Sequence, residues 1–106
     1  MGFFDAFASS AAARQTAEIA LQVSRRSCPA VWHKVQGRVL EMSLPQVRGY
    51  IYAHAADVVE SEAARCGVAH ERRQELVRLA REAVVETLVC EVARVQRTQV
   101  GRRRAA

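Results

Sequence analysis

The sequence is poor in several residue types, and each shortage narrows the class of protein. Its only cysteines are Cys28, Cys66 and Cys90, which are far apart and form no Cys-x-x-Cys pair. This spacing argues against a disulfide scaffold or a paired-cysteine zinc site and favours reduced thiols in a cytosol. The first residues lack a basic segment ahead of an apolar run, so they do not predict a signal peptide. We therefore expect a cytoplasmic protein.

Long apolar runs and aromatic side chains are also scarce. No window approaches the roughly 18 apolar residues that a membrane-spanning helix needs, so we predict no membrane span. Aromatic residues make up 6% of the chain although 50% of it is hydrophobic. Much of that hydrophobic fraction is alanine, which buries little area per residue. At 106 residues the chain is long enough for one domain with a modest core.

The stretch that organises the chain is 71–97, which contains neither proline nor glycine. It is rich in Leu, Ala, Glu and Arg and predicts one long helix, about 70–97. One of its apolar faces is broad enough for a core. A second apolar seam, which includes Val85, Val89 and Val92, lies partly on the opposite side. This seam predicts another covering surface, either the N-terminal helix or a second copy of the chain.

Three shorter helices are predicted ahead of the long one, over 6–26, 29–42 and 44–66. Pro29 suits the first turn of a new helix, so we expect a break at 27–29. Ser43 and Gln46 form a capping-box pattern at the start of the third helix, and Gly67 is typical of a left-handed helix end.

Short connections between these helices predict an all-α, up-and-down bundle of about four helices. We expect one domain over 1–97, followed by a basic, flexible tail over 98–106.

The apolar surfaces favour a non-catalytic, regulatory module that binds another protein. Phe3, Phe4 and Phe7 are all the phenylalanines of the chain. They either close the bundle as a plug or form an exposed hook for a partner. We predict a homodimer formed through the long helix, with this phenylalanine end or the Val85–Val92 seam as the contact with partners.

The basic residues support an alternative, a small DNA- or RNA-binding regulator. The net charge is +5, and the tail Arg102-Arg103-Arg104 supplies a large share of it. The candidate phosphate-binding residues of the N-terminal half are Arg25, Arg26, Lys34, Arg38 and Arg48. Solvated arginines at helix ends would explain the same pattern without any nucleic acid.

One polar stripe supports a third possibility, an enzyme or cofactor binder. Tyr50, His54 and Asp57 follow one another at helical spacing, and an Asp one turn from a His can set its tautomer. A single helical stripe points its side chains outward in parallel, whereas nucleophilic catalysis needs convergence from several elements. The chain also lacks Glu-x-x-His and His-x-x-x-His motifs. We therefore predict no metal and no cofactor, and favour a protein that is not an enzyme.

Overall fold

The chain folds into three helices packed around one apolar core. The computed structural model describes the backbone of residues 2–105 and the side chains of residues 11–102. Helix α1 spans Gly2–Val39, α2 spans Leu44–Ala64 and α3 spans His70–Ala105. Each helix packs against both of the others, and no strand occurs within residues 2–105. The predicted all-α class is confirmed, but the described chain has three helices and not four.

The predicted break at Pro29 is wrong, because α1 runs through this residue without interruption. A proline inside a helix removes the hydrogen bond to the carbonyl four residues earlier, here that of Arg25. Both Arg25 and Pro29 are exposed, so water can bond the freed carbonyl, while Ser27 and Val31 on the opposite side are fully buried. Burial of this inner face therefore holds the helix together despite the proline.

The core consists of small aliphatic side chains arranged in ridges. On α2 a buried residue recurs at every fourth position. Residues four apart lie one above the other on a helix, so they form a continuous ridge for the neighbouring helices. The buried apolar residues are Ala20, Val23, Val31, Val35 and Val39 on α1, Val47, Ile51, Ala55, Val59 and Ala63 on α2, and Leu76, Ala80, Val84, Val85, Leu88, Val89 and Val92 on α3. None of the aromatic side chains among residues 11–102 is fully buried.

Three buried hydroxyl groups on α1 are satisfied within that helix. Each donates a hydrogen bond to a backbone carbonyl three or four residues earlier, which removes the cost of burying it. The bonds run from Thr16 to the Ala12 oxygen at 3.0 Å, from Ser24 to the Leu21 oxygen at 2.8 Å, and from Ser27 to the Val23 oxygen at 2.7 Å. The inner face of α1 therefore needs no polar partner on α2 or α3 over this stretch.

Short-range sequence signals determine where the helices on either side of the two connections begin and end. The backbone N–H of Ser43 donates to the Gln46 side-chain oxygen at 3.1 Å, as the capping-box pattern predicted. Gly67 adopts a φ of 64°, the left-handed conformation expected just beyond the end of α2. The helix predicted to end near Arg97 continues to Ala105.

One contact at the end of α1 was not predicted. The side-chain amide of Gln96 on α3 donates to the Met42 oxygen at 2.9 Å and lies 3.3 Å from the Leu40 oxygen and 3.4 Å from the Val39 oxygen. The last carbonyls of a helix have no partner within it. Gln96 therefore caps α1 from another helix.

Gly37 offers a test of how α1 packs. Its position is exposed, and a methyl group added there would meet no atom within 4 Å. Glycine inside a helix costs about 1 kcal/mol relative to alanine. We therefore expect Gly37→Ala to raise the free energy of unfolding by about 0.5–1 kcal/mol in urea denaturation. A loss of stability would mean that a further surface packs closely on this glycine.

Candidate interaction surfaces

The apolar seam of α3 lies inside the bundle. Val85, Val89 and Val92 are 3%, 9% and 0% exposed, and all three belong to the core shared with α1 and α2. The excess apolar surface of α3, from which we predicted a second copy on this seam, is therefore covered by α1 and α2 of the same chain. A dimer stays a prediction, but burial gives no support for these three side chains as its contact.

The other predicted partner site cannot be placed in the same way. Phe3, Phe4 and Phe7 belong to α1, but their side chains lie outside the described residues 11–102. Their assignment as a plug or a hook stays a prediction.

A shallow apolar groove runs between α1 and α3, and we call it the α1–α3 groove. Its walls include Cys28 and Trp32 from α1 and Thr87 and Leu88 from α3, around a volume of about 360 Å³. Leu21 continues the same side of α1, because it lies seven residues before Cys28, and its side chain is 50% exposed. Leu21 is thus exposed beside a groove whose wall includes the half-buried Trp32, the only tryptophan of the chain.

The thiol in this groove is not set up as a nucleophile. Cys28 is half-buried, and this burial raises the pKa of its thiol. The reactive form of cysteine is the thiolate, so a raised pKa lowers its reactivity at neutral pH. Cys28 contributes apolar surface to the groove.

Sequence reasoning missed this groove because of the predicted break at Pro29. Once α1 is one helix, Leu21, Cys28 and Trp32 fall on one side at spacings of seven and eleven residues. The break placed Leu21 and Trp32 on separate helices. The helical spacing of these residues was present in the sequence, but the interpretation of Pro29 as a helix start prevented its recognition.

The polar stripe on α2 forms only part of the predicted arrangement. The rings of Tyr50 and His54 lie 4.3 Å apart between centroids at an interplanar angle of 46°. Asp57 is exposed, and no hydrogen bond joins it to His54. The imidazole thus contacts a phenol ring, and its tautomer is not set by the carboxylate. Catalysis or cofactor binding on this stripe stays a prediction.

A wider depression of about 750 Å³ lies where α2 turns into α3. Its walls include Glu60, Ser61, His70 and Arg73, so charges of both signs are mixed there. Among the side chains of residues 11–102, no group of three or more His, Cys, Asp or Glu could hold a metal ion. Ser61, His70 and Glu60 share these walls, but no hydrogen bond joins them among the described side chains.

Polar contacts join α2 to α3 along one side. The guanidinium of Arg48 forms an ion pair with Glu86, and this hydrogen bond lowers the pKa of the Glu86 carboxyl. The Arg81 side chain donates to the Tyr52 backbone oxygen at 2.7 Å and lies 3.5 Å from the centre of the Tyr52 ring. Such a cation–π contact adds to the hydrogen bond.

The predicted basic patch is divided by these contacts. Arg25, Arg26, Lys34 and Arg38 are all exposed on α1. Arg48 lies on α2 and is engaged with Glu86. The four cations of α1 are spread around that helix, and Arg25 and Lys34, which are nine residues apart, lie on opposite sides of it.

Similarity to known proteins gives no guide to which of these surfaces is functional. Comparisons with protein-family models, with curated proteins and with solved structures found no match to this chain. Within residues 2–105, none of the helices has an apolar stretch long enough to cross a bilayer. The function has to be argued from the surfaces themselves.

Proposed function

We propose that this chain is a non-catalytic helical interaction module that forms a homodimer through the α1–α3 groove. The observation that supports this proposal is an apolar line on one side of α1, formed by the exposed Leu21 and the half-buried Cys28 and Trp32, beside the buried Leu88. Tryptophan is among the residue types that contribute most to binding at protein interfaces. A groove between two helices is also a common site for an apolar helix face.

A second copy is a suitable occupant because the groove offers both halves of an interface. Leu21 and Trp32 provide an apolar strip on α1, and the shallow slot beside Thr87 and Leu88 receives side chains. In a twofold dimer the strip of each chain packs into the slot of the other chain, so each contact occurs twice. Burial of this apolar surface in the dimer would stabilise the association.

The test uses Leu21→Glu, which puts a carboxylate at the exposed, N-terminal end of the apolar strip. Burying that charge without a partner is costly, so we expect the dimer to dissociate at least about tenfold more readily. Sedimentation velocity at tens of micromolar chain should show a dimer for the natural sequence and a monomer for Leu21→Glu. The matched control is Leu44→Glu, because Leu44 is also 41% exposed but lies at the start of α2.

Trp32 gives a second measure of the same equilibrium, since it is the only tryptophan. Its fluorescence should shift to shorter wavelength as the chain concentration is raised, and this shift should disappear in Leu21→Glu. A natural chain that is monomeric at tens of micromolar would contradict the dimer. Equal loss of association in Leu21→Glu and Leu44→Glu would remove the groove as its location.

A further inference from the structure

The wall of the α1–α3 groove contains a backbone carbonyl that has lost its helical partner. Pro29 has no N–H, so the carbonyl of Arg25 accepts no hydrogen bond from the residue four positions later. Arg25 and Pro29 both line the groove, and both are exposed. The described side chains that donate to carbonyls of α1 do so at other residues. The groove wall therefore offers an acceptor to water or to a partner.

The same wall contains a donor without an acceptor. Trp32 is half-buried, and its indole N–H can donate one hydrogen bond. Within residues 11–39 the side chains that donate hydrogen bonds are hydroxyl groups, so the indole is not among them. It is also absent from the enclosed polar atoms, where Arg73 Nε is the one unpaired atom within residues 11–102. The indole N–H therefore contacts solvent, and a partner that covers the groove has to supply an acceptor for it.

The acceptor and the donor lie symmetrically about the centre of the groove. The midpoint between Arg25 and Trp32 falls between residues 28 and 29, about 5 Å along the helix axis from each. Cys28 and Pro29, on either side of this midpoint, also line the groove. These four residues are spaced by three, one and three positions, so they share one side of α1.

A second copy of the chain would satisfy both groups at once. When two α1 helices pack antiparallel about a twofold axis, positions at equal distances on either side of the axis face each other. With the axis at the midpoint, Arg25 faces the partner's Trp32, and Trp32 faces the partner's Arg25. Leu21 then faces the partner's Gln36, which is also exposed. Leu21 thus remains within the interface in this arrangement.

We infer that the indole N–H of Trp32 in each chain of the dimer donates to the Arg25 carbonyl that Pro29 leaves free in the other chain. Twofold symmetry makes this hydrogen bond twice. The two bonds fix the register of the paired helices, which apolar contact alone does not do. Pro29 then serves the interface, although it weakens the helix that contains it. This inference rests on the proposed dimer through the α1–α3 groove.

The test is a double-mutant cycle of Trp32→Phe and Pro29→Ala, with dimer dissociation measured by sedimentation velocity. Phenylalanine keeps an aromatic ring but has no N–H, and alanine supplies the N–H that bonds the Arg25 carbonyl within the helix. One hydrogen bond changes an equilibrium constant by a factor of about 2 to 12, and two are lost per dimer. Each variant should therefore raise the dissociation constant at least about fivefold. The double variant should stay within about twofold of Trp32→Phe, because both changes remove the same bond.

Two control variants separate the carbonyl from other effects of the substitutions. Arg25→Ala removes the side chain but keeps the carbonyl, so dissociation should change by less than about threefold. Pro45→Ala lies in the first turn of α2 and should be additive with Trp32→Phe. Circular dichroism will verify that every variant folds. Since alanine favours the helix at position 29, weaker association of Pro29→Ala would not arise from a loss of fold.

The outcomes distinguish this inference from the proposed function. A natural chain that dimerises and is dissociated by Leu21→Glu, but shows additive effects of Trp32→Phe and Pro29→Ala, would retain the groove dimer and overturn the hydrogen bond. A loss of association in Arg25→Ala as large as that in Trp32→Phe would also overturn it, since the contact would then belong to the guanidinium. A monomeric natural chain would remove both proposals.

Discussion

Replacing Pro29 by alanine is expected to stabilise the protein by about 2 kcal/mol. A proline inside a helix is about 3 kcal/mol less favourable than alanine, because it removes one hydrogen bond and its ring crowds the preceding turn. Alanine would restore the N–H that bonds the Arg25 carbonyl. Part of this gain is offset because proline also restricts the unfolded chain, an effect worth about 0.4–1 kcal/mol.

Thermal and urea denaturation would measure this change, and the midpoint temperature should rise by about 8–16 °C. The sign distinguishes the observed helix from the break predicted at residues 27–29. If Pro29 began a separate helix, alanine would remove a favourable first-turn residue and stability would stay the same or fall. Pro45, which lies in the first turn of α2, is the control position, and Pro45→Ala should not stabilise.

The largest loss of stability is expected for Ile51→Ala in the centre of α2. Ile51 is fully buried and is one of the two largest side chains that are, together with Leu76. Truncation of a buried isoleucine costs about 2–5 kcal/mol, since it removes apolar contacts and leaves a cavity. The neighbours are mostly valine and alanine, which are short or restricted in χ1 and cannot move into the space. We therefore expect a loss in the upper part of this range.

Urea denaturation would give the free energy of unfolding for Ile51→Ala, for Ile51→Val and for Leu44→Ala. Ile51→Val should lose about 0.5–1.5 kcal/mol, in proportion to the smaller cavity. Leu44→Ala changes an exposed side chain of the same helix and should lose less than about 0.5 kcal/mol. Similar losses for Ile51→Ala and Leu44→Ala would contradict the placement of the α2 ridge in the core.

The parts of the fold that follow from short-range chemistry were predicted from the sequence. Ser43, Gln46 and Gly67 each act within a few residues, and the structure has the predicted capping bond and left-handed glycine. Pro29 was misjudged because two interpretations compete there. A proline favours a helix start, but burial of Ser27 and Val31 on the inner face of α1 depends on where α2 and α3 lie.

The candidate surfaces were harder to predict for the same reason. The seam of Val85, Val89 and Val92 is apolar whether a neighbouring helix or a second chain covers it. Only the path of the chain shows that it is covered from within. Arg48 resembled the α1 cations in sequence, and its engagement depends on Glu86, which is 38 residues away.

The three helices are held together by unequal kinds of contact. Hydrogen bonds from Arg48 and Arg81 fix α2 against α3, whereas the polar contacts that hold α1 come from Gln96 and reach only its C-terminal end among residues 11–102. Over the rest of its length α1 is held by apolar contact, which has no preferred direction and tolerates sliding. The α2–α3 hairpin is thus the fixed unit, and α1 is the helix that could separate from it while the hairpin stays paired.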